Sequence, residues 1–236
     1  LAFDVTEQAE AERMRREFTA NVSHELKTPL QSIIGSVELL ENDLVQPEDR
    51  PRFLGRIHQE AQRLVSLIND ILGLSQLDEG AAMPRESVSL LSLAQEAAAS
   101  LSAAAQAQNV TLTVNGTAGT LTGVRRLLSE TVRNLCENAV KYNVPGGSVT
   151  VTVAETPQAV TLTVADTGIG IPPADQSRVF ERFYRVDKSH SRAIGGTGLG
   201  LSIVKHAVAY HHGTVQLDST PGQGTVITVT LPRDAA

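Results

Sequence analysis

In the stretch NVSHELKTPL, Asn21 to Leu30, a histidine, a glutamate, a threonine and a proline stand together inside what otherwise reads as a long helix. An imidazole that is largely neutral near pH 7 can act as a nucleophile, a base or a metal ligand, and His24 could equally be a plain surface residue. As a nucleophile it would suit phosphoryl transfer, which asks mainly for in-line positioning and charge neutralisation. Glu25 could then hold one ring nitrogen and fix the tautomer that leaves the other nitrogen reactive. Thr28, four residues on, shares a helix face with His24 and could place a water beside it. Pro29 lacks a backbone donor and is expected to bend the helix just past His24.

A second group of residues lies more than a hundred positions away. In NLCENAVKY, Asn134, Asn138 and Lys141 fall at i, i+4 and i+7, so a helix presents all three on one face while Leu135, Ala139 and Val140 turn away. Amide oxygens can complete the shell of Mg²⁺, and a lysine can meet a phosphate as a point charge. A merely solvated polar face would look the same. Two glycine-rich loops follow, DTGIGIP (Asp166–Pro172) and GGTGLGLSIVKH (Gly195–His206), the second running straight into a helix whose first N–H groups could cradle phosphate oxygens. Neither carries GK[ST], and TGIGIP runs into two prolines, which disfavours a Walker-type P-loop and a dinucleotide fingerprint. Asp166, ending the pattern TLTVAD, could accept a hydrogen bond from an exocyclic amine and so select adenine, or could simply cap the turn that follows.

These groups need elements to hold them. From Thr6 to about Asp43 the chain reads as helix, with Val22, Leu26, Leu30, Ile33, Val37, Leu40 and Leu44 at helical spacing. The loop VQPEDRP interrupts it, and the stripe resumes at Phe53 and runs through Ile57, Leu64, Leu67, Ile71 and Leu74 to stop near Gly80. The two helices form an antiparallel hairpin that buries too little to stand alone, so two hairpins are expected to pair as a four-helix bundle, the alternative being a single hairpin packed on the rest of its own chain. After GAAMPRES, five segments alternate in β-branched residues (VTLTVNG, GSVTVTVAE, QAVTLTVAD, GTVQLDS, GTVITVTLP), with helices expected over Leu90–Gln108, Val124–Tyr142, Asp175–Phe183 and Leu199–His211. The fold class is therefore α+β: a helical hairpin, then a mixed or antiparallel sheet with helices on one face.

Composition narrows the classes. The net charge of −6 argues against general nucleic-acid binding. Cys136 is the single cysteine and cannot pair within the chain, which fits a reducing compartment; it is expected to serve packing. No apolar run approaches the roughly 18 residues of a membrane-spanning helix. A chain beginning at Leu1 is expected to be a fragment.

In their order along the chain, six motifs resemble the boxes of the sensor histidine kinases of two-component systems. FTANVSHELKTPLQSI is similar to the phosphoacceptor box, NLCENAVKY to the asparagine box, DTGIGIP to the first glycine box and VFERFYRVD to the phenylalanine box. GGTGLGLSIVKH is similar to the second glycine box and PGQGT to the last glycine turn. The resemblance covers about residues 10–234. It implies a signalling helix over 1–17 from an upstream sensor domain, a dimerisation and phosphotransfer domain of HisKA type over 18–80, a linker over 81–88, and an ATP-binding catalytic domain of the Bergerat (GHKL) type over 89–236. The segment FDVTEQAEAERMRREF also resembles the joint between a PAS sensor and the kinase helix.

By matching position, the resemblance implies His24 as the phosphorylated residue, Glu25 as its activator and Thr28 as the orienter of water in the reverse phosphatase reaction. It implies ATP and Mg²⁺ as cofactors, with Asn138 on the metal, Asn134 and Lys141 near the phosphates, Tyr142 beside the base and Asp166 selecting adenine. Gly168 and Gly170, then Gly196, Thr197, Gly198, Leu199 and Gly200, would shape the two ends of the nucleotide lid. Related ATPases carry a glutamate where this chain has Asn134, which disfavours an ATP-driven conformational machine, and the intact His24, Glu25 and Asn138 disfavour a non-catalytic scaffold. The implied partners are a second copy of the chain and the receiver domain of a response regulator. A membrane would be met only through an absent N-terminal part, in a parent that is a bacterial inner-membrane sensor with this fragment on its cytoplasmic side. The other histidines read as bland: His58 on the bundle surface, His190 and His206 flanking the lid, and His211–His212 at a helix end where a cation suits the dipole.

Overall fold

A computed structural model describes residues 2–78, 83–186 and 196–233, with the side chains of 1–12, 14, 15 and 76–78 left out. The linker residues Ala81 and Ala82, Gly195 and His190 lie outside the described residues. Contact density divides the chain into two units between Leu72 and Gly73.

The first unit holds most of two long helices, α1 (Ala2–Glu41) and α2 (Arg50–Asp78), joined through a 3₁₀ turn at Pro47–Asp49. The α1 helix ends where Asp43 adopts φ 51°, and Arg50 closes the loop with a 2.7 Å ion pair to Asp43. Pro29 is buried within α1. Leu67 and Val45 are buried, and Val22, Leu26, Ile33, Val37, Leu40, Phe53, Ile57, Leu64 and Ile71 are half-buried. Leu30 and Leu44, which the sequence stripe places among them, are exposed in the single hairpin, as are Ile34, Leu54, Val65, Ile68 and Leu72. The apolar arc of each helix is wider than one partner helix can cover.

The second unit begins with β1 (Glu86–Ser89) and α3 (Leu90–Ala107). Next come β2 (Thr111–Gly116), β3 (Thr120–Gly123) and α4 (Arg125–Lys141). The hairpin of β4 (Ser148–Glu155) and β5 (Ala159–Asp166) leads to a single turn, α5 (Pro173–Gln176). The chain ends with α6 (Gly200–Tyr210), β6 (Thr214–Thr220) and β7 (Gly224–Pro232). Five strands pair in the order β2-β4-β5-β7-β6, with β2 parallel to β4 and the rest antiparallel, while β1 and β3 form a separate two-stranded sheet. The period of two sends Val149, Val151 and Val153 of β4 and Val160, Leu162 and Val164 of β5 into the core. There they meet Leu93 and Ala97 of α3, Leu128, Val132 and Leu135 of α4, and Val204 and Val208 of α6. Each such side chain contributes about 1.5–3 kcal/mol on burial. The other strand face carries Thr150, Thr152, Thr161, Thr163, Thr228 and Thr230.

Two expectations need correction. The helix over Asp175–Phe183 is a single turn, Pro173–Gln176, after which the chain runs in turns to Phe183, itself at φ 63°. His211 is not a cation at a solvated helix end but is fully buried. Its Nδ1–H donates to the Ala207 carbonyl at 2.7 Å, and its Nε2 accepts the Val124 N–H at 2.9 Å, capping the start of α4. Burial pushes its pKa below the usual histidine value, and Arg85 and His212 add to that.

Candidate functional site

The α4 helix supplies one wall of the site. Leu127, Leu128, Val132, Leu135 and Cys136 fix its orientation by burial, and burial pushes the Cys136 thiol up to about 12, an inert packing group. Asn134, Asn138 and Lys141 then share the remaining stripe, but they are not equally open. Asn134 is only 9% exposed, while Asn138 and Lys141 are half-buried. Among the described residues the Nδ2 group of Asn134 has no hydrogen-bond partner, an expensive condition for a buried amide unless a ligand meets it.

The second glycine loop closes on this stripe. A Cβ at Gly200 would lie 3.4 Å from Asn134 Oδ1, and one at Gly196 would lie 3.2 Å from both Lys141 Nζ and the Tyr142 hydroxyl. Lys141 Nζ stands 5.6 Å from the centre of the Tyr142 ring. Gly198 takes φ 73° and its carbonyl accepts the Phe183 N–H at 2.9 Å, which ties the phenylalanine box to the second glycine box. The Thr197 hydroxyl accepts the Leu199 N–H at 3.3 Å, and Leu199 is buried, anchoring the entrance to α6.

On the opposite side, Asp166 ends β5 with Oδ1 accepting two backbone donors, Gly168 N–H at 2.8 Å and Thr225 N–H at 3.2 Å. It caps the turn, as one reading of the sequence has it, and both bonds fall on a single oxygen. Burial raises its pKa, an effect the two donors oppose. Gly168 is required because a Cβ there would come within 2.3 Å of the Tyr142 carbonyl. Gly170, at φ 68°, passes over the β6–β7 turn, where Gly222 N–H donates to the Ile169 carbonyl at 2.8 Å.

Sequence reasoning missed the residues that brace this loop. Ser219 Oγ accepts the Ile171 N–H at 2.8 Å and contacts Thr225 Oγ1 at 2.9 Å. The Gln176 amide donates to the carbonyls of Ile171 at 2.9 Å and Ser219 at 2.8 Å. Asn143 Nδ2 donates to the Ala139 and Ser148 carbonyls, each at 3.1 Å, knotting the end of α4 to β4. Isolated Ser, Gln and Asn residues carry no periodic signal, so only tertiary contacts reveal them.

The hairpin holds the other group by itself. The side chain of His24 is 70% exposed, with Nδ1 4.0 Å from Glu25 Oε1. Thr28 Oγ1 donates to the His24 carbonyl at 3.2 Å, one turn back on the same face.

Known proteins share this assembly. Residues 123–235 match the family described as histidine kinase-, DNA gyrase B-, and HSP90-like ATPase, and residues 14–80 match the His Kinase A phospho-acceptor domain. The structure of the mycobacterial sensor histidine kinase MprB is 30% identical, with a TM-score of 0.56, covering 63% of this chain and 97% of that one. The chain belongs to the sensor histidine kinases. Along nearly its whole length it is 39% identical, over 235 residues, to the sensor-like histidine kinase SenX3 of Mycolicibacterium smegmatis, covering 97% of this chain and 60% of that protein. Full-length ShkA, solved in complex with AMPPNP, is 29% identical with a TM-score of 0.68 and covers 93% of this chain and 47% of that one. Among the described residues of this histidine kinase no three His, Cys, Asp or Glu side chains gather to hold a metal, and no helix is long and apolar enough to cross a membrane. The polar stripe of α4 fits a magnesium–nucleotide, whose phosphates bring most of the hard oxygen ligands themselves.

Proposed function

We propose that this chain is the catalytic part of an ATP-dependent protein-histidine kinase that phosphorylates His24 and passes the phosphoryl group to an aspartate on a response-regulator receiver domain. The observation that carries this reading is the buried Asn134, whose Nδ2 has no partner among the described residues and whose Oδ1 lies against the Gly200 entrance of α6, with Lys141 and Tyr142 against Gly196 two turns further along the same helix. That is a cradle for phosphates with a helix start at its floor. AMPPNP in the ShkA structure supports a nucleotide there.

In the hairpin, Glu25 faces Nδ1 of His24, so Nε2 is the nitrogen left to react. Its lone pair forms the bond to the γ-phosphorus while the bond from that phosphorus to the β–γ bridging oxygen breaks. ADP leaves with the electron pair, and the positive charge gained by the ring is stabilised by the Glu25 carboxylate. Asn138 would meet the magnesium ion, which when bound neutralises charge on the phosphates. Lys141 adds a point charge, Asn134 donates its free amide hydrogens to a phosphate oxygen, Tyr142 flanks the base and Asp166 offers its second oxygen to the adenine amine. With an amide rather than a carboxylate one turn before Asn138, water near the γ-phosphate lacks the base that hydrolysis needs. Thr28 can order a water for the reverse reaction, dephosphorylation of the regulator.

The domain limits at 17, 80 and 88 belong to this proposal, as do a homodimer formed through the hairpin and an upstream sensor that carries the membrane anchor. The outward apolar side chains of both helices support the dimer. Incubation with γ-labelled ATP and Mg²⁺ tests the function. The protein should take up an acid-labile, base-stable label that His24→Ala abolishes; free phosphate release with no labelled protein would overturn the reading.

A further inference from the structure

We propose that Arg63 of α2 is a positioning residue for the phosphoacceptor, holding the Glu25 carboxylate so that one oxygen faces His24. Arg63 Nη2 lies 3.7 Å from Glu25 Oε2, while Glu25 Oε1 is the oxygen 4.0 Å from His24 Nδ1. The carboxylate therefore lies between guanidinium and imidazole, one oxygen facing each at ion-pair distance. The inference rests on the reading of His24 as the phosphoryl acceptor.

The burial of the pair sets it apart. The Arg63 and Glu25 side chains are 17% and 22% exposed. The other described ion pairs of the hairpin that join Arg to Asp or Glu, Arg13–Glu17, Arg50–Asp43 and Arg52–Asp49, have every side chain at least 45% exposed. Arg63 is half-buried beside Leu64, with Leu67 buried one turn on and Leu26 half-buried next to Glu25. Two charges drawn largely from water carry a desolvation penalty that their attraction need not offset, and an apolar pair would serve stability as well or better. The pair sits at the one level of the hairpin that carries the reactive histidine. Its use is to deny Glu25 the freedom to swing into solvent, because a planar guanidinium gives a carboxylate a fixed partner. So placed, Glu25 is the group that can close on Nδ1 and hold the His24 proton there, leaving the lone pair on Nε2.

Imidazole ¹⁵N spectra of the whole labelled chain test this without reference to activity. At pH 8, His24 of the wild type should be held with its proton on Nδ1. Arg63→Ala should return it to the tautomer mixture of an unrestrained histidine, with Arg63→Lys intermediate; unchanged His24 resonances in Arg63→Ala would overturn the proposal even in a protein that takes no label from ATP. In the kinase assay Arg63→Ala should lower kcat about tenfold or more with KM for ATP unchanged, and should add no further loss in a Glu25→Ala background. An equal loss in both backgrounds would mean a structural role, and a faster reaction would mean a brake; either overturns it. If Arg63→Ala loses its helical circular dichroism, Arg63→Gln, similar in length but uncharged, carries the same comparisons.

Discussion

The two units use apolar side chains in opposite ways. In the sandwich, Val149, Val151, Val160 and Leu162 meet Leu128, Val132 and Leu135 within one chain, and the sheet face they leave to water is mostly threonine. In the hairpin, Leu30, Ile34, Val65, Ile68 and Leu72 point outward, and its described buried apolar side chains are few, Val45 and Leu67 among them. The sandwich covers its core with its own residues; the hairpin leaves these side chains exposed, which is what the proposed pairing would cover. The contrast suits the function proposed above. On that proposal a nucleotide cradle needs groups such as Asn134 and Asp166 held in place, whereas a phosphoacceptor would be reached in turn by a kinase domain and a regulator; the His24 side chain is 70% exposed.

The contrast can be broken first on the sandwich side, where the largest effect is expected. Leu135→Ala removes a side chain that is 2% exposed and should destabilise the sandwich by about 2–5 kcal/mol. Calorimetry should show one transition lowered while helical signal from the hairpin melts separately. A single cooperative shift of both would mean that the units depend on each other for stability.

The hairpin side is sharpened by Ile68→Glu. Ile68 is 46% exposed in one chain, so the change costs the monomer little. On the pairing proposed here it places a charge in each half of an apolar interface and should weaken the dimer at least about tenfold, ~1.4 kcal/mol. Sedimentation velocity reads this, with nucleotide binding by the sandwich as the control. An unchanged dimer would move the interface to another face.

These two regions were also unequally legible in the sequence. The five main strands announce themselves by alternation, and α4 by Asn134, Asn138 and Lys141 opposite an apolar face. The strands β1 and β3 gave no signal because ESVS and TLTG are four residues each and pair only with one another. The Asp175–Phe183 stretch reads as helix, yet the helix stops at Gln176 and the stretch ends with Phe183, at positive φ, donating to the Gly198 carbonyl, a contact that no local pattern encodes. His211 misled for the same reason: its partner Val124 lies 87 positions earlier. Arg63 was passed over because one charge in an apolar stripe reads as surface until Glu25 appears on the other helix.

His211 gives the next test, one that only the sandwich should feel. Its folded pKa lies below the unfolded value near 6.5, so the unfolded chain binds a proton first as pH falls. The stability it supports is complete above about pH 6.5 and falls below that, by at most about 1.4 kcal/mol per pH unit, until the folded histidine itself titrates. Asp166, whose folded pKa is raised, acts in the opposite direction nearer pH 4, so denaturant titrations between pH 7.5 and 5.5 isolate the histidine. His211→Gln keeps an acceptor for the Val124 N–H without the titration and should flatten that slope. An undiminished slope would assign it to another group.

The smallest effect is expected where charge, not packing, joins two sandwich elements. Arg125 Nη2 lies 2.7 Å from Glu96 Oε1 and links α4 to α3, a shorter contact than the 3.7 Å of the Arg63–Glu25 pair. The shorter pair should matter less. Its side chains are 48% and 55% exposed, so water already solvates both charges and salt screens their attraction. Such pairs contribute about 0.2–1 kcal/mol, and Glu96→Gln should shift the sandwich by no more than that, less still in high salt. A loss of the size expected for Leu135→Ala would mean that α4 is held by its surface charges, and the asparagine stripe would then be positioned by salt-sensitive contacts rather than by the core beneath it.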